Sequence, residues 1–212
     1  MERMSIDTLW HSQDIRLWHE AKRTYWRLVR PHLMLTEITL NDLDAALVRE
    51  MDAQQWYDFL LNQYFPWKYT APNRLTTTTR QLRTRAETDG LEALFALKVD
   101  LFEFDRNDVK RGLEVATKIP GLGVAGASGL LALLFPNHFG TVDQFAVKAL
   151  QNVSGLEDAA RIQRMKPDGL RISDGVILIG IMREKVRQLN VRFSTDYWTP
   201  RKVDMLLWTY GR

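Results

Sequence analysis

Residues Lys118–Leu150 read KIPGLGVAGASGLLALLFPNHFGTVDQFAVKAL. Within them Pro120-Gly121-Leu122-Gly123 is a tight turn, because glycine takes positive φ and lets another surface come close. Val109, Leu113 and Ala116 recur at helical spacing before the turn, and the small and aliphatic run Ala125–Phe135 follows it. A helix, a Gly-x-Gly turn and a second helix leave the first-turn N–H groups of that second helix without intrahelical partners. Such groups hold a phosphate well. Phe135-Pro136 closes the second helix, and Thr141-Val142-Asp143 leads into a third, Gln144–Leu150, with Asp143 as its N-cap.

The arrangement resembles the helix-hairpin-helix DNA glycosylase superfamily, the endonuclease III-like and 8-oxoguanine glycosylase-like base-excision enzymes. There a (Leu/Ile)-Pro-Gly-(Val/Ile/Leu)-Gly hairpin precedes a catalytic Asp by about twenty residues. Here the hairpin is Ile119–Gly123, and Asp143 stands twenty residues after Gly123. The resemblance implies that Asp143 is catalytic and that Gly121, Gly123, Val124 and Ala125 grip the DNA backbone. Bifunctional members carry a Schiff-base lysine two residues after the second Gly; here that position is Ala125. A monofunctional enzyme is therefore implied, with water as nucleophile and an intact abasic site as product. Lys118 and Lys148 lie near the motif but not at that position, and Lys148 joins the expected DNA contacts.

Composition sets the outer bounds. The chain has 212 residues, 45% of them hydrophobic, enough for one large domain or two interlocked small ones. No uninterrupted apolar run reaches membrane-spanning length. The first ten residues, MERMSIDTLW, carry charges and lack the apolar core of a signal peptide, so a cytoplasmic protein is expected. Cysteine is absent, which excludes disulfides, a catalytic thiol and the Cys-ligated iron–sulfur cluster of many endonuclease III-like relatives. The four histidines show no metal-ligand spacing, so no metal and no cofactor is expected. Net charge is only +3, but the stretch from Phe59 to Ala86 holds no acidic residue and contains Lys68, Arg74, Arg80, Arg83 and Arg85. A one-signed stretch suits a phosphate backbone; a solvated helix face is the plainer alternative.

Along the rest of the chain, residues 7–30 read as one helix, with Trp10, Trp18 and Trp26 recurring every eight residues, about 80° apart. Pro31 ends it. Thr39 and Asp42 open a short helix over 40–51, and Asp52 caps another over 53–64. The end of that helix, Leu60-Leu61-Asn62-Gln63-Tyr64, resembles the family's helix before the loop that wedges a side chain into the duplex. Gln63, Asn62 and Tyr64 are the candidates. Residues 66–72 read as a loop whose Trp67 and Tyr69 either face an extruded base or pin the loop to the core. Thr76–Thr79 reads as a turn or helix start. Helices are expected over 75–86, 91–97, 106–118 (opened by Asp105), 156–165 and 173–189, with a connector over 190–197, extended in part. Thr199-Pro200 opens the last helix, 201–210. There Asp204 and Trp208 share a face at i and i+4, laid out like the base-holding pair of 8-oxoguanine glycosylase-like members; a core Trp with a surface Asp is the plainer alternative.

No alternating strand pattern is sustained. The expected fold is all-α: a two-lobed helical bundle, DNA glycosylase-like, with a central lobe over 52–140 containing the helix-hairpin-helix at about 106–135. Residues 1–51 and 141–212 form a second lobe, and the cleft between them holds Asp143. The expected partner is double-stranded DNA with a damaged or modified base, in repair or in attack on modified foreign DNA such as a phage genome. Two readings compete: a non-catalytic helix-hairpin-helix DNA-binding protein and a helical protein-interaction domain.

Overall fold

A computed structural model describes residues 4–212. Glu2 and Arg3, two of the charges read in the first ten residues, lie outside them. The regular structure of the described residues is all helical, with no strand. In chain order the helices are α1 (Ile6–His11), α2 (Ile15–Leu28), a 3-10 turn (Pro31–Leu33), α3 (Met34–Asn41), α4 (Ala45–Glu50), α5 (Ala53–Phe59), a π-turn (Leu60–Tyr64) and α6 (Phe65–Lys68). Then follow α7 (Pro72–Asp89), α8 (Leu91–Glu103), α9 (Val109–Ala116), α10 (Val124–Leu134), α11 (Gln144–Leu150), α12 (Ala159–Gln163), α13 (Ile172–Arg192) and α14 (Pro200–Gly211). Among the described residues no helix is long and apolar enough to cross a membrane.

The turn between α9 and α10 forms as its residues require. Asp108 caps α9, its side chain accepting from the Arg111 amide at 2.9 Å. Ile119 and Leu122 bury their side chains and anchor the turn. Between them Gly121 sits at φ +87, where an L side chain is strained. A Cβ there would also stand 2.7 Å from Cγ2 of Thr78 on α7. Gly123 then opens α10 with no side chain capping its first turn.

Contacts sort the helices. α5 packs on α8, α8 on α7 and α9, and α9 on α10; α14 packs on α11, α2 and α13. α13 touches α9 and α10 as well as α14, and so joins the two groups. Tryptophans tie the N-terminal helices to the C-terminal segment: Trp18 lies 6.3 Å from Trp10 and 5.7 Å from Trp198, ring to ring.

Several local expectations are corrected. The helix expected over 7–30 is two, because the Asp14 carboxylate takes the Arg16 amide at 2.9 Å and starts α2 afresh. Trp10 and Trp18 are buried, while Trp26 is half-buried against Tyr25. The helix expected over 40–51 is instead α3 and α4, divided at Asp44, whose side chain caps Ala46. Asp108, not Asp105, opens α9. Thr76–Thr79 lies inside α7, where Thr76 and Thr77 donate to carbonyls four residues back and so fit a helix interior. α12 begins at Ala159 rather than Leu156. α13 runs to Arg192 and is followed by a turn at Ser194 with φ 48, not by extended chain.

The largest correction falls on residues 60–72. Asp52 caps α5 as expected, in a reciprocal capping box with Gln55. The chain then stays helical: the Phe65 amide donates to the Leu60 carbonyl, a π-turn, and α6 carries on to Lys68. The extra residue of a π-turn rotates everything after it by about 100° relative to an unbroken α-helix. Trp67 and Lys68 therefore leave a rigid helix, not a loop.

Candidate active site

Four hydrogen bonds fix the segment that enters α11. The Thr141 amide donates to Asp204 Oδ2 at 2.5 Å. The Val142 amide donates to Ser128 Oγ on α10 at 3.0 Å. Asp143 then caps α11, its Oδ1 accepting from the amides of Phe145 at 2.9 Å and Ala146 at 3.2 Å. Its other oxygen, Oδ2, is 3.6 Å from Nζ of Lys68. One carboxylate oxygen is locked by the helix, and the other faces an amine. Both side chains are largely withdrawn from solvent, at 10% exposure for Lys68 and 20% for Asp143.

Lys68 reaches this place across α10. A Cβ on Gly129 would lie 3.2 and 3.3 Å from Lys68 Cδ and Cε, and 2.8 Å from the Tyr64 hydroxyl. The small residues of α10 thus admit α6 closely. Tyr64 is fully buried and donates its hydroxyl to the Gly126 carbonyl, which locks the π-turn onto the hairpin helix. Burial draws the Lys68 amine below its ordinary value, and the Asp143 and Asp204 carboxylates oppose that shift.

Asp143 and Lys68 stand in the wall of a cavity of about 250 Å³. Trp67, Trp208, Phe145, Tyr25 and Thr141 line it too, as does a buried ionic network. Arg201, 6% exposed, donates to Asp204 Oδ1 at 2.6 Å and to Glu37 Oε1 at 3.1 Å. Glu37 also accepts from Asn41 Nδ2 at 2.6 Å, from Trp67 Nε1 at 2.6 Å and from the Tyr25 hydroxyl. Burial raises Asp204 to about 6 against the pull of Arg201. Burial pulls Arg201 the other way, but Asp204, Tyr25 and Glu37 outweigh it and hold Arg201 above its ordinary value. Both Asp204 oxygens accept hydrogen bonds, so the geometry fits the ionised carboxylate. The Thr141 hydroxyl is buried without a protein partner.

No protein-family model, curated protein or solved structure matches the chain.

The expected site residues fall in three places. Asp143, Lys68, Trp67, Asp204 and Trp208 meet at the cavity. Lys68 was expected on the DNA backbone; it points inward instead, because the π-turn and Gly129 guide its stem. Asp204 is buried and its carboxylate is engaged by Arg201 and the Thr141 amide, so its place is to position Asp143's segment rather than to hold a base. Trp208 is the half-exposed member of that pair, the reverse of a core Trp with a surface Asp. Gly121, Gly123, Val124, Ala125 and Arg74 line a separate hollow of about 470 Å³ around the hairpin, together with Lys118. Tyr69 belongs there, its hydroxyl donating to the Gly121 carbonyl at 3.2 Å, and so leaves the expected base pocket. Gln63 and Asn62 are exposed on the π-turn, whereas burial removes Tyr64 as a wedge. Lys148 is exposed, its amine 5.8 Å from the Phe145 ring centre.

Glu37, Arg201 and Tyr25 escaped the sequence reading. Glu37 left a trace, a lone acid within the apolar run LMLTEITL. Arg201 left only its place in the first turn of α14, three residues before Asp204.

Proposed function

We propose that the protein is a DNA N-glycosylase, which draws a damaged or modified base from double-stranded DNA into this cavity and breaks its bond to deoxyribose beside Asp143. The observation that carries the reading is the division of labour on Asp143. One oxygen is spent on the cap of α11; the other faces the cavity, twenty residues after a Gly-x-Gly hairpin whose helix N-terminus is open.

Each part has a physical task. The glycosidic bond is hidden in stacked DNA, so its base must be extruded. The uncapped amides of α10 with Arg74 and Lys118 nearby suit the phosphates that flank it. Trp67 and Trp208 offer aromatic surface to the base, and the unpartnered Thr141 hydroxyl offers a hydrogen bond that it otherwise forgoes. As the bond lengthens the sugar becomes cation-like. A fixed carboxylate oxygen in a partly dry cavity stabilises that charge more in the transition state than in the ground state.

The test incubates the protein with duplexes bearing a panel of damaged or modified bases, and with base-modified phage DNA, followed by alkali. Alkali-labile sites are expected, and Asp143→Asn lowers their formation by about 10²-fold or more. The cap of α11 is retained, since Asn caps a helix about as well as Asp, and the melting temperature of the variant is measured alongside. DNA bound by both proteins with no base released from any duplex would establish a non-catalytic DNA-binding protein. Failure to bind DNA at moderate salt would favour a protein-interaction domain.

A further inference from the structure

Ala125 stands where a Schiff-base lysine would be sought, and that absence led to water as the expected nucleophile. The structure offers an amine by another route. Among lysines near the motif, Lys118 is exposed on the hairpin and Lys148 is exposed on α11. Lys68 is the one in the cavity wall, 3.6 Å from the free oxygen of Asp143. Its stem crosses α10 at Gly129, one turn beyond Ala125 and on the same face.

We infer that Lys68 is the catalytic nucleophile of this site, an amine delivered from α6 that attacks C1′ of the deoxyribose and gives the enzyme an abasic-site lyase activity as well. The inference rests on the glycosylase reading for its substrate. In the first step the neutral amine adds to C1′, the C1′–N bond breaks, and its electron pair leaves with the base, which takes up a proton shed by the amine. The ring then opens at C1′–O4′; the second amine proton passes to O4′ and a C1′=N imine remains. Asp143 then takes the C2′ proton, the C2′–H electron pair becomes a C2′=C3′ bond, and the 3′ phosphate leaves with the C3′–O pair, breaking the strand. Asp143 Oδ2 lies where it can accept the shed proton and pass it on, which its locked Oδ1 cannot do as freely. Burial, which favours the uncharged amine, acts in the direction the first step needs.

An unrelated fate for the pair is a plain buried ion pair that orients Asp143. The two are separated by covalent chemistry. The full-length protein is mixed with a duplex carrying a preformed abasic site and treated with borohydride, which reduces the imine to a stable secondary amine. This arm needs no base release. Expected is a protein–DNA adduct whose peptide mass places it on Lys68, lost in Lys68→Gln and in Lys68→Arg. The arginine variant keeps charge and bulk but forms no imine, so adduct loss with an unchanged melting temperature is not a folding effect. In parallel the same proteins meet the panel of base-modified duplexes. Base release without any adduct would overturn Lys68 as nucleophile and leave the glycosylase reading standing, with water as the attacker. An adduct on Lys118, Lys148 or the N-terminus would also overturn it. An adduct on Lys68 with no base released from any duplex would sustain the nucleophile and sink the glycosylase reading. Neither adduct nor release would sink both.

Discussion

Replacing Arg201 by Met tests whether the ionic network holds the cavity together. Arg201 is the cation shared by Glu37 and Asp204, and all three side chains are at most 10% exposed. Met keeps the stem volume and removes the charge and its donors. Breaking a buried pair from one side typically costs about 3–5 kcal/mol, because a charge is left without its partner. The low end applies here. Glu37 retains donors from Tyr25, Asn41 and Trp67, and Asp204 retains the Thr141 amide. A loss of about 3 kcal/mol corresponds to about 6–12 °C in melting temperature for a chain of this size. Urea unfolding with an unchanged slope gives the same quantity independently. The loss depends on pH with a definite sign. Asp204 titrates at about 6 with Arg201 present, and higher without it. At pH 5 its carboxyl is protonated and needs Arg201 less; at pH 7.5 the variant must either bury an unpaired charge or take up a proton against the bulk. The deficit is therefore larger at pH 7.5 than at pH 5. A loss below about 1 kcal/mol, equal at both values, would refute the claim that Arg201 neutralises buried carboxylates.

Three further outcomes follow from the geometry. Gly129→Ala puts a Cβ 2.8 Å from the hydroxyl of the fully buried Tyr64, an overpacking that costs about 1–3 kcal/mol in thermal or urea unfolding; a neutral result would mean α6 can lift off α10 freely. Gly121→Ala forces an L side chain to φ +87 at about 1–2 kcal/mol and presses on Thr78, so DNA affinity drops and the salt dependence loses about one phosphate's slope; an unchanged salt titration would detach the hairpin from DNA binding. Between pH 3.8 and about 6 the folded chain keeps a proton on Asp204 that the unfolded chain has released, so this group makes stability fall as pH rises through that window. Asp204→Asn removes that slope, and a wild-type denaturation series that is flat there relative to the variant would contradict it.

What was legible in the sequence was local. The hairpin turn, the cap at Asp143, the cap at Asp52 and the Thr-Pro start of α14 each depend on residues within four positions of one another, and the chain writes such signals plainly. What failed depended on partners far away or on a broken period. Glu37 and Arg201 stand 164 residues apart, and neither has a local reason to be buried. Asp204 looked like a surface acid because its two donors come from Arg201 and from the Thr141 amide 63 positions earlier. The π-turn was invisible because helical pattern reading assumes 3.6 residues per turn throughout. One added residue moved Trp67 and Lys68 from an imagined loop to the cavity wall. Tyr69, two residues beyond Trp67, went to the hairpin hollow instead.

The π-turn and the bare backbone of α10 together bring Lys68 to Asp143. A lysine stem needs a channel through packed atoms to bring its amine to a buried carboxylate, and the channel here is the bare backbone at Gly129. That bare backbone is one condition of the arrangement. The π-turn supplies the other condition, since without its extra residue Lys68 would leave α6 about 100° away from α10. Tyr64 holds that turn in place from its fully buried position, with its hydroxyl on the Gly126 carbonyl. Gly129 and Tyr64 thus set one variable, the position of the Lys68 amine relative to Asp143 Oδ2. With Lys68 as the nucleophile proposed above, changes at either should alter imine trapping.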